Sequence, residues 1–400
     1  MSFDFSCPII VAAKRTPIGS FQGNLSPFKG IELGGWALKG LGLSDFTPDE
    51  VIMGCVLQAA QGQAPARQAA HYAGINFSTP CTTVNKVCGS GMRSLFMACD
   101  QIRLDHAKLI LAGGMESMSN APYLLDRARA GYRVGHNILI DHMYRDGLED
   151  PYHPNEDGNY RLMGTFAEDT AERYSFHRTQ QDQYVFETFN AYQKAFSEKK
   201  FQSEIVPISI VDAKGNTFLI ADDEPPSRVK PEKFAALKPA FRPNGTVTAA
   251  TSSSLSDGAA AIAFASLAYV QEKNLTPLAR VVGYTTFAHQ PELFTTAPVG
   301  VIQKLCHQVK WSLDSVDLFE VNEAFAIVPM VVMKDLDIPR EKMNVHGGAC
   351  VMGHPIGASG ARIVVTLIHA LKQRSLKRGI AAICIGGGEA TALAIEMMEG

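Results

Sequence analysis

Residues Asn85–Arg93, which read Asn-Lys-Val-Cys-Gly-Ser-Gly-Met-Arg, join a β-rich segment to a helical one. Cys81–Val84 before them favours a strand, and the apolar residues that follow recur at helical spacing: Met92, Leu95, Phe96, Cys99 and Ile102. Cys88 therefore lies where a strand turns into a helix, and Gly89 and Gly91 permit a tight turn there. The N–H groups and positive dipole end of a helix favour the nucleophilic thiolate form of a nearby thiol. We predict that Cys88 forms a covalent intermediate with a substrate, the alternative being a buried structural cysteine.

Composition limits the classes of partner that the chain can have. The 400 residues are 46% hydrophobic and 19% charged, which indicates a large core and about two or three domains. The net charge of −3 provides no general attraction for nucleic acid or for an anionic membrane. Apolar runs stay shorter than the ~18 residues that a membrane span needs. We therefore expect neither a nucleic-acid partner nor a membrane partner.

The cysteines and the two ends of the chain bear on its location. The eight cysteines are spread over the whole sequence and include no Cys-x-x-Cys pair or zinc spacing. This distribution favours free thiols in a reducing compartment over a disulfide framework. The first residues lack the basic region of a signal peptide, and Met398-Glu399-Gly400 is not a peroxisomal address. We expect a cytoplasmic protein.

Short apolar segments alternate with amphipathic ones along the first third of the chain. Strands are predicted at Pro8–Ala13, Val51–Leu57 and Lys108–Ala112, and helices at Ile31–Leu41 and Arg67–Ala73. Strands that are apolar on both faces and alternate with helices are typical of a layered α/β fold with parallel pairing.

The composition between residues 121 and 246 is richer in Tyr, Asp, His, Arg and Pro, which predicts an inserted domain. It contains predicted helices at Phe166–Tyr174 and at Thr179–Glu198, the latter capped by its threonine, and a loop at Asp150–Gly158. Its histidines lack metal spacing and are expected at the surface or in an interface: His136, His142 and His153.

Two features of the first third recur near the end of the chain. Ser90–Arg93 has a counterpart in Ser359–Arg362, and Leu109–Glu116 has one in Ala382–Glu389. The order of the features is the same in both places, which predicts a duplicated unit with equivalent loops side by side and a site between them. The expected domains are residues 1–120 with 247–275, the insert 121–246, and residues 276–400.

Four further motifs occupy the last third: Val321–Ala326 after an apolar strand at Val316–Phe319, Asn344–Gly348, Gly353–Gly360, and Cys384–Gly388. His354 stands between Gly and Pro, which is poor core material, and we predict a functional role for it. Cys384 lies in an apolar strand, but the three glycines after Ile385 would let a ligand approach backbone N–H groups closely. His346 is expected either at the surface of a loop or in contact with a ligand.

The motifs around Cys88, Asn322, His354 and Cys384, in this order, resemble those of the thiolase family, most closely its acetyl-CoA acetyltransferase branch. Arg15–Gly19 also matches, and the resemblance covers essentially the whole chain. It implies two βαβαβαββ halves in a five-layer αβαβα core, with a loop domain inserted in the first half.

The resemblance also implies a reaction. His354 would take the proton of Cys88, whose thiolate would attack an acyl-CoA thioester to give acyl-Cys88. Cys384 would remove the α-proton of a second acetyl-CoA, whose carbanion would attack acyl-Cys88 and release a 3-ketoacyl-CoA; the reverse reaction is thiolysis by CoA. One oxyanion hole is expected at His354 Nε2 and a water held by Asn322, the other at the backbone N–H groups of Cys88 and Gly386.

The same resemblance assigns binding residues and partners. Ser253 would contact the pantetheine arm, and an apolar tunnel would be lined by Leu148, Met163, Ala249, Ala324 and Phe325. The expected substrates are acetyl-CoA, 3-ketoacyl-CoA and CoA, with a role in fatty acid metabolism. No metal or redox cofactor is expected, and the protein is expected to form a homo-oligomer, a dimer or a tetramer.

The sequence departs from the acetoacetyl-CoA-forming pattern in several places. Leu162 replaces a His, Phe294 opens a segment that lacks the usual Met-Gly, His346 replaces an Asn, Asp150–Gly158 is an insertion, and Arg228 is shifted. A degradative 3-ketoacyl-CoA thiolase of longer chain length is therefore the alternative function, and a non-catalytic acyl-CoA-binding relative is a third. A ketoacyl-synthase-type enzyme is disfavoured, because its second His is replaced here by Cys384.

Overall fold

The computed structural model describes residues 7–154, 159–211 and 215–398. Residues 1–6 and 399–400, on which the targeting expectation partly rests, and residues 155–158 of the predicted loop lie outside the described residues. The strands of the described part are β1 (Pro8–Arg15), β2 (Gly19–Ser20), β3 (Glu50–Gly54), β4 (Cys81–Val84), β5 (Leu109–Ser117), β6 (Tyr123–Leu124), β7 (Ile140–Asp141), β8 (Glu149–Pro154), β9 (Tyr160–Leu162), β10 (Ile208–Val211), β11 (Thr217–Ile220), β12 (Ser256–Ser266), β13 (Ala279–Ala288), β14 (Leu318–Val321), β15 (Arg378–Ile385) and β16 (Glu389–Met397).

The α-helices of the same residues are α1 (Gly30–Lys39), α2 (Pro65–Tyr72), α3 (Ser90–Arg103), α4 (Met163–Tyr174), α5 (Arg178–Ser197), α6 (Leu267–Glu272), α7 (Ala297–Val309), α8 (Ile327–Leu336), α9 (Ala349–Met352) and α10 (Ile356–Arg374). Short segments of 3-10 helix lie at Met118–Asn120, Ala128–Ala130, Lys200–Ser203, Pro225–Arg228, Pro231–Ala236, Pro291–Thr296, Leu313–Ser315 and Arg340–Lys342, and a π-helical turn lies at Tyr144–Leu148. In the described part of the chain, no helix has both the length and the apolar character needed to cross a membrane.

The core strands of the described residues form one continuous ten-stranded sheet, whose two parts, called here the first and the second sheet, join where β1 pairs with β13. The first has the order β4-β3-β5-β12-β1 and the second the order β14-β15-β16-β13, with β2 paired to β12. Two residue pairs between β1 and β13 join the sheets, Ile9 with Arg280 and Ile10 with Ala279. Each sheet has helices on both faces, because its strands are apolar on both sides.

The helices complete five layers. Helices α3 and α10 lie between the sheets, and their apolar residues share one cluster with strands of both. Helices α1 and α2 cover the outer face of the first sheet, and α7 and α8 cover the outer face of the second. The predicted α/β class with a five-layer αβαβα core is confirmed.

The prediction of parallel pairing is wrong for the centre of the fold. Strand β3 runs parallel to β4 and to β5, and β14 runs parallel to β15, whereas the other pairs in the two sheets are antiparallel. The β15–β16 pair is a hairpin, so its strands must run in opposite directions. Burial of both strand faces reports that helices cover the sheet, but it carries no information about strand direction.

The two helices of the middle layer touch through backbone at their first turns. A Cβ on Gly360 would lie 2.5 Å from the backbone N of Met92, and a Cβ on Gly91 would lie 2.9 Å from the carbonyl O of Gly357. The two Ser-Gly pairs that repeat in the sequence therefore face each other, and only glycine permits this approach. The turns that precede α3 and α10 are brought side by side as a result.

The chain between the two parts of the first sheet forms its own short strand pairs, β6 with β7, β8 with β9, and β10 with β11, and Ile205 makes a single bridge to Arg15 of β1. The predicted loop at Asp150–Gly158 thus begins as strand β8, paired with Tyr160–Leu162. Helix α5 begins one residue before the predicted Thr179 cap. Its cap is His177, whose backbone N–H donates to Gln180 Oε1 at 2.7 Å, so a side chain inside the first turn satisfies the helix end.

Candidate active site

Cys88 stands at the end of a strained turn. The residue before it, Val87, has a φ of +46°, a conformation that a β-branched residue rarely adopts. Asn85 Oδ1 accepts the Val87 N–H at 2.9 Å, while the Ser90 hydroxyl accepts the Lys86 N–H at 2.8 Å and donates to the Val87 carbonyl at 2.6 Å. Hydrogen bonds from side chains on both sides of the turn thus stabilise the strained backbone that places Cys88 just before α3.

Burial controls the protonation of Cys88. It raises the pKa of the thiol to about 11, and the backbone N–H groups of Gly386 and of Cys88 itself only partly offset this. The N–H groups at the helix terminus favour the thiolate, as predicted, but desolvation outweighs them. Cys88 is a thiol at neutral pH and needs a base to react.

His354 supplies an unprotonated imidazole nitrogen. It follows Gly353, whose φ is +97°, and its Nδ1 lies 2.6 Å from Ser359 Oγ. The Ser359 hydroxyl has one hydrogen, and its oxygen lies 3.0 Å from the Pro355 carbonyl oxygen. With that hydrogen donated to Pro355, Nδ1–H donates to Ser359, which leaves the lone pair on Nε2. His354 Nε2 is buried and has no hydrogen-bond partner among the described residues.

The charge state of His354 suits a base. Burial, and then the positive charge of Arg362, lower the pKa of His354 to about 3. The imidazole is consequently neutral over the physiological pH range. A neutral imidazole that holds a free lone pair can accept a thiol proton during a reaction.

Cys384 lies at the end of β15, directly before the turn at residues 386–388. Burial, and then the neighbouring Cys88 sulfur, raise the pKa of the Cys384 thiol. Gly387 and Gly388 have φ values of +92° and +84°, and a Cβ on Gly388 would lie 2.4 Å from the carbonyl O of His289. The glycines are therefore needed for the tight turn that directs the Gly386 N–H toward Cys88.

A cavity of about 240 Å³ brings Cys88, His354, Cys384 and Gly386 together. Its wall is largely apolar and includes these predicted binding residues: Leu148, Met163, Ser253, Ala324 and Phe325. The two variant positions Leu162 and Phe294 also line it. Sequence reasoning missed Met118, Tyr144, Phe241 and Ile356, which are ordinary apolar residues in loops and helices and carry no sequence signal of a cavity.

A second cavity of about 480 Å³ adjoins the first and shares Ser252, Ser254 and Leu255 with it. Ala249 lines this second cavity and not the first, and its predicted place in the apolar tunnel stays a prediction. The second cavity also carries the basic side chains Arg228, Lys230 and Lys233.

Asn322 lies behind the first cavity rather than in its wall. Its Oδ1 accepts a hydrogen bond from Arg362 Nη2 at 3.4 Å, and its Nδ2 is buried without a partner among the described residues. Arg362 lies 3.9 Å from Glu320 Oε2, and both side chains are almost fully buried. A buried amide donor without a protein partner is a suitable site for an ordered water.

Glu116 is a further residue that sequence reasoning did not single out. Its buried carboxylate accepts backbone N–H groups from Val56 and Leu57, each at 3.1 Å, and from Gly357 at 2.9 Å. Burial raises its pKa to about 7 despite these bonds. Glu116 thus ties the loop after β3 to the first turn of α10, next to His354.

The other singled-out histidines lie outside this cavity. His346 is buried, not at the surface, and packs edge-on against Phe201, because residues of α5 and the 200–203 turn cover its loop; its burial lowers its pKa to about 4. His142 is also buried, with Nδ1 2.6 Å from Asp146 Oδ2, whereas His136 is exposed. No group of three or more His, Cys, Asp or Glu side chains in the described residues is arranged to hold a metal ion.

Comparison with known proteins covers nearly the whole chain. Residues 8–268 match the family model "Thiolase, N-terminal domain", and residues 275–397 match "Thiolase, C-terminal domain". A probable acetyl-CoA acetyltransferase of Dictyostelium discoideum is 44% identical over 394 residues, which are 98% of this chain and 94% of that protein. The crystal structure of the Bacillus anthracis acetyl-CoA acetyltransferase superposes with a TM-score of 0.93 at 40% identity, over 98% of this chain and 99% of that one. The Acat5 thiolase from Ascaris suum, in complex with coenzyme A, gives a TM-score of 0.91 at 40% identity, over 98% and 100%.

Proposed function

The chain belongs to the thiolase family, and we propose that it is an acetyl-CoA C-acetyltransferase. It reversibly condenses two molecules of acetyl-CoA to acetoacetyl-CoA and CoA through an acyl-Cys88 intermediate. The observation that supports this function best is the convergence of two thiols, one neutral imidazole and the Gly386 backbone on a single apolar cavity. A protein that only binds acyl-CoA has no need of that reactive set.

The first half-reaction acylates the enzyme. His354 Nε2 takes the Cys88 proton as the sulfur attacks the thioester carbonyl of acetyl-CoA, so no free Cys88 thiolate has to form in the buried site before the attack. The bond from the carbonyl carbon to the CoA sulfur breaks, and the departing CoA thiolate takes the proton of Cys384. The thioester oxygen is stabilised by the N–H groups of Cys88 and Gly386, each of which contributes roughly 3 kcal/mol in comparable sites.

The second half-reaction forms the carbon–carbon bond. The Cys384 thiolate removes the α-proton of a second acetyl-CoA, and the resulting enolate oxygen faces His354 and a water held by Asn322 Nδ2. The carbanion attacks acyl-Cys88, the Cys88 sulfur leaves, and it recovers its proton from His354. Every group returns to its starting state, and the reaction consumes only CoA esters, with no cofactor.

The second cavity supports CoA binding. Arg228, Lys230 and Lys233 place positive charge there, and the shared Ser252, Ser254 and Leu255 connect it to the reactive cavity. We propose that the CoA phosphates lie against these basic side chains and that the pantetheine arm passes Ser253 to reach Cys88. A phosphate-bearing ligand would thus be attracted at the mouth, while the thioester is desolvated inside.

The acyl end of the cavity favours a short chain. Phe294 lies 6.4 Å from Phe325 between ring centroids, and Phe241 lies 5.9 Å from Phe325, so three aromatic rings close one side. Leu162 adds a further apolar group where the sequence pattern of the family suggested a lost imidazole. We take this aromatic, apolar side of the cavity to favour an acetyl or acetoacetyl group over a longer chain.

A chain-length series tests the proposed function. In thiolysis of 3-ketoacyl-CoAs, we expect kcat/KM for the four-carbon substrate to exceed that for the eight-carbon one by about tenfold or more, because each misfitting methylene costs transition-state binding. Phe294→Ala should narrow this ratio, and Cys88→Ala is the blank. Rates that hold or rise with chain length in the unmodified enzyme would favour the degradative 3-ketoacyl-CoA thiolase instead.

Ser359 offers a test of the assigned base. We expect Ser359→Ala to lower kcat by about 10- to 100-fold, because the His354 ring loses the partner that holds its orientation and the lone pair on Nε2. Ser94→Ala is the matched control, since Ser94 is a buried serine of the same helical layer whose hydroxyl donates to the Gly113 carbonyl at 2.6 Å. Equal kcat in Ser359→Ala and the unmodified enzyme would remove this role from Ser359.

We further propose that the protein forms a homo-oligomer, a dimer or a dimer of dimers. Large apolar side chains of the inserted segment are 54–98% exposed: Tyr123, Leu125, Val134, Ile138 and Leu139. Exposed apolar groups concentrated in one segment are typical of a protein–protein contact, and a second copy of the chain would cover them. The proposed location is the cytoplasm, where cysteines that carry out chemistry stay reduced, and neither nucleic acid nor a membrane is a proposed partner.

A further inference from the structure

Lys86 and Glu389 form an ion pair that joins two catalytic turns from opposite ends of the sequence. Lys86 lies two residues before Cys88, and Glu389 lies three residues after Gly386, as the first residue of β16. Their side chains are 24% and 34% exposed. Because the pair is partly hydrated, its removal leaves no fully buried unpaired charge, and it contributes little to global stability.

The two turns need an accurate relative position. A Cβ on Gly89 would lie 2.4 Å from Ile385 Cδ1, so the turns are in close contact beside Cys88. The N–H groups of Gly386 and Cys88 both act on the Cys88 sulfur. The turn of Gly386 is also held by the Gly388 carbonyl, which accepts the His289 N–H at 2.9 Å. Among the described residues, Lys86–Glu389 is the ion pair that connects the turn of Cys88 to that of Gly386.

We propose that Lys86 and Glu389 are positioning residues that set the separation of the Cys88 and Gly386 N–H groups, and thereby the oxyanion hole for acyl transfer. This inference rests on the proposed function. One donor comes from each half of the chain, so the hole exists only where the two turns are held together. An oxyanion hole works when both donors lie within hydrogen-bond distance of the developing charge, and small displacements cost large factors in rate.

Two reactions of the Cys88 sulfur distinguish an effect on the oxyanion hole from a general change in the reactivity of the thiol. Acetyl transfer from acetyl-CoA develops negative charge on a carbonyl oxygen and uses the hole. Alkylation by iodoacetamide is a displacement at carbon that develops no such oxyanion. Both need an accessible sulfur that loses its proton. With acetyl-CoA at saturation, so that its binding no longer limits the rate, the ratio of the two rate constants reports the hole.

The experiment compares these rate constants at one pH, both read by mass spectrometry on the peptide that contains Cys88. We expect K86M and E389Q each to slow acetyl transfer by about 5- to 20-fold, with alkylation slowed by no more than about twofold. K86R should behave like the unmodified enzyme, and the charge-swapped double variant K86E/E389K should recover acetyl transfer to within about threefold. Arg280→Gln is the matched control, because Arg280 pairs with Glu396 at the opposite end of β16.

Each other outcome has a definite meaning. An unchanged ratio of acetyl transfer to alkylation in K86M and E389Q would overturn the inference, as would a double variant no faster than the single ones. If the unmodified enzyme is acetylated and K86M and E389Q are acetylated at the same rate, the proposed function stands and only the positioning role is removed. An unmodified enzyme that fails to become acetylated would overturn both.

Discussion

Cys88→Ala is expected to abolish condensation and thiolysis, with a loss of at least about 10⁴-fold in kcat. No acyl intermediate can form without the Cys88 sulfur. Cys384 is not expected to replace it, because its thiol also has a raised pKa and the base assigned here, His354, serves Cys88. The measurement is the rate of acetoacetyl-CoA cleavage in the presence of CoA, together with the intact mass of the protein after incubation with acetyl-CoA.

Cys99→Ala is the control for this substitution. Cys99 is a buried cysteine of the same helix, packed in the core between the sheets and away from the cavity. We expect this variant to lose stability, since a small cavity replaces the thiol, but to keep its kcat and its acetyl adduct. Substantial activity in Cys88→Ala would contradict the mechanism, whatever the behaviour of Cys99→Ala.

Cys384→Ala is expected to separate the two half-reactions. Acetylation of Cys88 should continue, because a CoA thiolate can leave without an enzyme acid, whereas condensation should fall by about 10³- to 10⁴-fold without a base for the α-proton. Acetyl-Cys88 should therefore accumulate. Mass spectrometry measures the adduct, and the amount of acetoacetyl-CoA formed measures the condensation.

Cys306→Ala is the corresponding control, as a cysteine of α7 that packs on the outer face of the second sheet. It should acetylate and condense at the normal rate. Two results would count against the assignment: normal condensation in Cys384→Ala would show that another group removes the α-proton, and failure to acetylate would place Cys384 in the first half-reaction as an essential acid.

The parts of the fold that follow from local pattern could be predicted. The strand Cys81–Val84 has the bounds expected from its residue types, and the helix after Cys88 begins at Ser90, two residues before the apolar spacing that starts at Met92. The glycine-rich turns at His354 and after Cys384 also lie where the sequence indicated. In each case the information lies within about ten neighbouring residues, which is the range over which helix and strand periodicity acts.

The parts that depend on distant residues could not be predicted. The direction of strand pairing, the burial of His346 and the position of Ala249 in the second cavity each depend on segments far away in the sequence. The raised pKa of Cys88 also depends on distant residues. The position of Cys88 before a helix can be predicted from its neighbours, whereas its desolvation comes from residues of both halves. The pairing of Lys86 with Glu389 is a contact between residues 303 positions apart.

The backbone contact of Gly91 with Gly357 joins early and late parts of the chain, so it determines when the active site can form during synthesis. A nascent chain presents the turn of Cys88 long before α10 and the hairpin of β15 and β16 have left the ribosome. Until then its thiol has neither base nor oxyanion hole and is an ordinary exposed cysteine. Because β15 and β16 complete the second sheet and the turn between them supplies the Gly386 N–H, the enzyme gains its reactivity only after these late strands have been made and have docked.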